Sequence, residues 1–568
     1  MITLITNKLP FSDSKSWVLI LFFCVLAQLN RAGAQDRVTV KGNLNAGGEV
    51  YDVNGISSRR SPYSYSVAGT INFAYKGFNL PITGSYRDAQ FSYDYTFNRL
   101  GLSPSYKWVK LHLGWSNINY SAYTLSGRSF FGVGLELTPG KWYFSALKGK
   151  LQNPLAIKDT LVYGANLIPG YERNIEGAKF GYRKSKSKLE LMAVRTFDDV
   201  NGPAPSGDVN QLYGYQVLTP KENLTLGLNA GLELFKRIEL FLNTGLSAYT
   251  ADALDTFTIK YGNEVPAFAK DLFQANSTSR FSLAGDGGIN LRIRGNKIGF
   301  KYRRVDPFYS NLAANFFQND IEQITFTTGL NLFKRKLRFD GQLGMEHNNL
   351  TQLRSQTANR VIGNAGINLV PSEKLNLGLR YTNYQTESMN EILQLNDTLR
   401  FVTVSSQYGF NADYTVPGLI KRMNFTLYLN YNTVKDESQN ESLGDISVFT
   451  AGLSHGLTFT QKELSIYPSI NYNQYQYRTV DQTRYGLGLR VAKKMLDKKL
   501  MLNVGGQLFF NQYNGLNDGT SSNLSLNGNY RFSPKRSITL TTLYRINESI
   551  VNRSYTEWRS TLKLSQSF

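Results

Sequence analysis

From about residue 37 to the C terminus, apolar and polar positions alternate one for one through stretch after stretch, which is the period of a β-strand. The last stretch is the clearest. Trp558, Leu562, Leu564 and Phe568 share one face with Ser560 and Gln566, and the other face carries Arg559, Thr561, Lys563, Ser565 and Ser567. The same plan recurs in Tyr63–Tyr75, Leu375–Thr382, Val402–Asp413, Met423–Tyr431 and Leu524–Phe532.

Turn chemistry separates the stretches into hairpins. Turns are expected at Lys76-Gly77, near Lys107, at Pro139-Gly140-Lys141, within 184–188, at Lys236-Arg237, at Gly295-Asn296 and at Lys334-Arg335. Pro81 predicts a bulge or an irregular stretch in its strand. Pro220-Lys221-Glu222 reads equally as a turn or a bulge. The sequences Gly231-Leu-Glu-Leu-Phe-Lys-Arg and Gly329-Leu-Asn-Leu-Phe-Lys-Arg repeat one strand-to-turn solution.

Polar faces sustained over so many strands do not suit a soluble sandwich. They fit an all-β chain closed as a single large antiparallel transmembrane β-barrel, with an apolar band toward lipid and a polar lumen. Counting runs predicts about 26 strands, within roughly 22 to 28, with both termini at the short-turn end. Longer connections are expected over 153–176, 198–210 and 251–277. In the last, Pro266–Ala275 is either a surface loop or a short helix folded into or over the mouth.

Residues 1–34 read as a cleaved signal peptide, with Lys8 and Lys15, an apolar run from Trp17 to Ala27, and an Ala32-x-Ala34 site. Residues 35–568 are then the barrel. The only cysteine is Cys24 within that apolar run, so neither a disulfide nor thiol chemistry is expected in the mature chain. A strand beginning almost at once after the signal leaves no room for an N-terminal plug domain. No later stretch is apolar and long enough to be a spanning helix.

The net charge is +21. Much of it falls in the predicted short turns, where it would meet anionic headgroups. The remainder takes inward positions: Arg292, Lys301, Arg303, Arg338, Arg360, Arg380, Arg484, Arg490, Arg531, Arg545, Arg559 and Lys563. These line the lumen either as an anion-favouring wall or as a structural lattice paired with Asp340, Glu346, Asp413 and Glu557.

Chemistry-bearing motifs are sparse. The three histidines, His112, His347 and His455, lack metal-ligand spacing, and His112 shares an inward face with Lys110. No catalytic, cofactor-binding or metal-ligating residue is assigned, and an enzyme is not expected. Aromatics alternate away from the charges, which argues against nucleic acid.

The closing strand ending in Phe568 resembles the terminal signal of bacterial outer-membrane barrels. Tyr123-Thr-Leu-Ser-Gly-Arg-Ser-Phe-Phe and Tyr302-Arg-Arg-Val-Asp-Pro307 are similar to segments of Bacteroidetes-type outer-membrane barrels, a porin-like, plugless type. The resemblance implies a Gram-negative outer membrane, contact with its lipid and lipopolysaccharide, and delivery by the barrel-assembly machinery. Two functions follow as expectations. One is a porin-like channel for polar or anionic solutes. The other is the barrel of a secretion, surface-protein or lipoprotein assembly whose partner plugs the lumen.

Overall fold

The computed structural model describes residues 38–87, 99–154, 170–202, 218–259, 272–314, 318–352, 359–388, 401–436 and 444–568. The expected signal peptide and most of Pro266–Ala275 lie outside them.

Alternation folds as expected because a pleated strand sends successive side chains to opposite faces. All 27 strand segments join one antiparallel sheet. They run from β1 (Thr39–Asn54) to β27 (Tyr555–Ser567), and β1 pairs with β27 from Asn43↔Ser567 to Asn54↔Thr556, closing the barrel. Segments β4 (Arg99–Leu102) and β5 (Ser105–Tyr106) both lie between β3 (Phe78–Arg87) and β6 (Val109–Ser116), so they are halves of one crossing and the barrel has 26. Strands about 4.8 Å apart and tilted about 40° then enclose a backbone ring roughly 50 Å across.

The break at Ser103-Pro104 corrects the reading of Pro81. Pro81 pairs regularly with Asn72, and the irregularity falls on the next crossing, where the Ser103 N–H donates to the Pro81 carbonyl at 3.0 Å. Pro220-Lys221 is neither a turn nor a bulge. It leads into β11 (Glu222–Leu234), which pairs directly with β10 (Ser187–Asp198).

The apolar face points outward. Phe131, Phe180, Leu191, Phe281, Phe326, Leu379, Leu453, Ile470, Leu487 and Leu562 are all exposed on it. Trp142 stacks on Phe180 at 5.4 Å near the short-turn end of this belt. Trp558, Leu562 and Leu564 join the belt, while Phe568 ends the chain with its backbone exchanging hydrogen bonds with Gly42 (3.1 and 3.2 Å).

One end carries the short turns, among them Lys76-Gly77, Lys107 and Lys334-Arg335, several with left-handed backbone at the turn residue. The other end carries the long connections, with two exceptions. Arg478-Thr479 and Asn514-Gly515 are two-residue turns at that end, the second with φ of 50° and 79° as a type I′ hairpin requires. The described end of the 251–278 connection does not enter the mouth. Phe273 and Ala275 pack on Ala248 and Leu224, and Phe273 meets Phe281 edge-on at 6.1 Å, all on the outward face.

Candidate functional site: two segments folded onto the lumen wall

On β8 (Trp142–Gln152), β9 (Arg173–Lys184) and β10 the polar face is interrupted. Leu147, Leu151, Ile175, Met192 and Val194 occupy inward positions, where water would otherwise meet them, yet all are buried. They are covered by residues 117–129, the connection from β6 to β7 (Phe130–Leu137), whose Ile118, Tyr120 and Leu125 complete one apolar cluster with them. Burial of such side chains contributes about 1.5–3 kcal/mol each, which offsets the cost of ordering the segment.

The wall is shaped for this contact. A Cβ on Gly227 would come within 2.5 Å of Thr124 Cγ2, and one on Gly245 within 2.6 Å of both Tyr123 Cβ and Tyr309 Oη. Any larger residue at these two positions displaces the segment.

A second segment, 306–314, follows β14 (Asn296–Val305) and lies against the first. Tyr309 meets Tyr123 edge-on at 6.4 Å and donates its hydroxyl to the Tyr123 carbonyl. Asn311 Nδ2 donates to the carbonyls of Tyr123 (2.9 Å) and Thr124 (2.7 Å). Ser126 and Ala314 form a parallel bridge. Buried Asn223 ties this segment to the wall: its Nδ2 donates to Ser247 Oγ (2.8 Å) and the Ala248 carbonyl (3.0 Å), and its Oδ1 accepts from the Leu312 N–H (3.2 Å). Burial pushes the hydroxyls of Tyr123 and Tyr309 above the usual tyrosine range, so both stay neutral.

Charge anchors the first segment from below. Lys179 and Glu190, each nearly inaccessible, pair at 2.9 Å, and Lys179 Nζ also donates to the Tyr120 carbonyl at 3.1 Å. Arg183 pairs with the same Glu190 and lies 4.1 Å from the Tyr143 ring centroid. Toward the short-turn end, Glu136 accepts from Tyr143 (2.8 Å) and Lys110 (3.2 Å), and lies 2.6 Å from His112 Nε2. His112 Nδ1 is 3.3 Å from Ser103 Oγ. Sequence reading placed His112 and Lys110 on one inward face but not the carboxylate that joins them.

The twelve inward basic residues are not one ring. Arg292 pairs with Glu239 (2.6 Å), Lys301 with Asp286 (3.2 Å), Arg338 with Asp340 (2.6 Å), Arg545 with Glu557 (3.3 Å) and Arg559 with Glu49 (2.7 Å). Arg303 lies with Asp286 at the Tyr123 hydroxyl. Arg484 donates to Asn511 (2.9 Å) and Ser521 (3.0 Å), and Arg490 lies 4.5 Å from the Tyr467 ring centroid. Arg380, Arg531 and Lys563 are exposed. Arg360 stands opposite Glu346 in the register, and its side chain lies outside the described residues. Of the four acids expected as partners, Asp340 and Glu557 pair with arginines. Glu346 accepts from Gln323 and faces Arg360 in the register, and Asp413 accepts from Thr426 (2.8 Å). No group of three or more metal-ligating side chains occurs among the described residues.

The motif at 123–131 falls mostly within the first inward segment, and the motif at 302–307 spans the end of β14 and the first two residues of the second; sequence reading singled out both without giving them a place. The available signal was the run of apolar residues at inward register on β8–β10.

No protein-family model matches the chain, and no curated protein does. Solved structures it is similar to include the P pilus usher (PapC) translocation pore, at 11% identity and TM-score 0.41, over 93% of this chain and 99% of that one. A ferric enterobactin receptor (PfeA) from Pseudomonas aeruginosa, in complex with enterobactin, is similar at 11% identity and TM-score 0.41, over 94% and 82%. The ferric yersiniabactin uptake receptor FyuA from Yersinia pestis is similar at 10% identity and TM-score 0.40, over 94% and 81%. Likeness at this distance assigns no function; the large closed barrel stands on the strand pairing itself.

Proposed function

We propose that the chain is an outer-membrane channel for polar solutes, its lumen narrowed by two inward-folded connections. The membrane reading rests on the outward belt. A continuous band of exposed Leu, Ile, Val and Phe around a closed barrel far exceeds the apolar patches of soluble proteins. The long-loop end then faces outside, and the basic short turns face the periplasm.

The observation that carries the channel reading is the asymmetry of the lumen. A ring roughly 50 Å across would leak if empty. Segments 117–129 and 306–314 occupy the wall on the β6–β15 side (β15, Ile321–Leu332), held by the contacts described above. Opposite them, the inward faces of β20–β27 are polar, and no buried apolar cluster covers them among the described residues. A polar wall facing a fixed constriction fits a water path. The paired basic residues fit at most a weak preference for anions.

A hydrolase built on Ser103, His112 and Glu136 is not proposed. The Ser103 N–H already serves the Pro81 carbonyl, and Pro104 has no N–H, so the backbone beside the serine offers no oxyanion donors.

Purified protein in a planar bilayer under a salt gradient tests the channel. Stable current steps with weak anion bias are expected. A silent bilayer, with the barrel shown folded by heat-modifiable gel migration, would overturn the reading in favour of a barrel filled by a partner.

A further inference from the structure

Two aromatic rings lie on the polar wall opposite the inward segments, in one rung of the sheet. The rung runs Tyr428–Gly452–Asn471–Gly486–Phe509 across β20 (Lys421–Asp436), β21 (Ile446–Phe459), β22 (Leu464–Tyr477), β23 (Val480–Met495) and β24 (Leu500–Tyr513), each residue directly paired with the next. At Gly452 a Cβ would meet two Tyr428 ring carbons and the Tyr428 hydroxyl oxygen at 2.3–2.5 Å, and at Gly486 three Phe509 ring atoms at 2.4–3.2 Å. Each ring therefore lies across the backbone of its neighbour, one face on the wall and the other toward the lumen. Both remain partly exposed.

A ring laid over a glycine is also a way to shield a bare strand. Its surroundings here go further. Asn471 stands between the rings and accepts from the Tyr428 hydroxyl at 2.9 Å. The next rung toward the long loops offers Asn430, Asn473 and Arg484, and the rung toward the short turns offers Gln507. Between Asn424 and Asn430 of β20 and the positions they face, the inward residues of β20–β24 include no carboxylate. The rings lie over β21 and β23, two strand spacings apart, roughly 10 Å.

Flat apolar faces set among amides and hydroxyls, with the Arg484 guanidinium already donating to Asn511 and Ser521 and that of Arg490 laid over Tyr467, match a ligand that is apolar on its ring faces and hydroxylated at its rim. We propose that this rung is a binding track for a neutral oligosaccharide, with Tyr428 and Phe509 as stacking faces and Asn471 between them. The proposal rests on the channel reading, whose solute class it names.

Equilibrium dialysis of the detergent-solubilised full chain against tritiated maltohexaose, cellohexaose and xylohexaose tests it, with polyethylene glycol of similar size as reference. Saturable retention of at least one sugar is expected. Tyr428→Leu and Phe509→Leu, which still cover the glycines, weaken it at least tenfold, and Phe509→Tyr retains it. Heat-modifiable migration confirms that each variant folds. Retention of every sugar no greater than the reference, or unchanged in both leucine variants, overturns the track. Sugar binding without current steps in a bilayer overturns the open channel and leaves the track; current steps without sugar binding do the reverse.

Discussion

Replacing Asn311 by alanine separates the inward segments from each other without touching a barrel strand. Its Nδ2 donates to the Tyr123 and Thr124 carbonyls at 2.9 and 2.7 Å, and its Oδ1 accepts from the Ala313 N–H at 2.8 Å. The Tyr123 carbonyl keeps the Tyr309 hydroxyl, so losing that bond costs about 1 kcal/mol, as an ordinary hydrogen bond does. Thr124 is fully buried, and stranding its carbonyl costs about 1–3 kcal/mol. The sum, about 2–4 kcal/mol, acts on the equilibrium between seated and released segments. At about 1.4 kcal/mol per tenfold, the released population rises roughly 30- to 700-fold.

Trypsin reads that population. Arg128 is the only lysine or arginine in 117–129, and 306–320 contains none. Cleavage yielding a fragment that begins at Ser129 therefore reports release of the first segment alone. When closing outpaces cleavage, the rate follows the open population. Asn311→Ala is expected to speed this cleavage by the factor above while heat-modifiable migration stays native. Acceleration below roughly threefold would refute the idea that the second segment holds the first in place.

Other outcomes follow from the same geometry. Gly245→Val drives a side chain into Tyr123 and Tyr309 and should raise single-channel conductance with the barrel intact; an unchanged conductance would mean the segments do not narrow the path. Lys179→Met leaves Glu190 with Arg183 alone and removes a donor from the Tyr120 carbonyl; it should cost about 3–5 kcal/mol in thermal unfolding, most of it restored by adding Glu190→Leu. The raised tyrosine hydroxyls make seating strongest below roughly pH 10 and weaker as pH climbs toward their folded values, because the released state deprotonates first. Current should therefore rise above that pH, and less so in Tyr309→Phe; a flat current across the window counts against buried hydroxyls. Arg559→Ala removes a two-nitrogen contact with Glu49 across the β1–β27 seam and, being half-exposed, should lower stability by only about 1 kcal/mol.

The barrel was legible because its signal is local. Each strand announces its faces by a period of two, and each short turn by its own residues, so the count of 26 needs no knowledge of distant contacts. What the chain does inside the barrel is not local. Arg559 finds Glu49 only once the two ends of the sheet meet, and Glu136 finds His112 only through strand pairing. Counting inward charges from sequence therefore overstates the free basic wall, since most of the acids that pair with them lie on other strands, Asp340 beside Arg338 on β16 (Leu337–Asn348) being the exception. The inward segments were harder still. Asn117–Ser129 has the serine, glycine and asparagine content of an ordinary surface loop, and nothing within it says which way it folds. That information sits in the wall: Leu147, Ile175, Met192 and Val194 are out of place on a polar face unless something covers them, and Gly227 and Gly245 leave the space for the cover. In a chain of this class, an apolar residue at inward register is thus a better guide to function than a basic one. A charge can be solvated or paired in many ways, whereas an exposed aliphatic in a water-filled lumen has one inexpensive resolution, which is to be buried by another part of the chain.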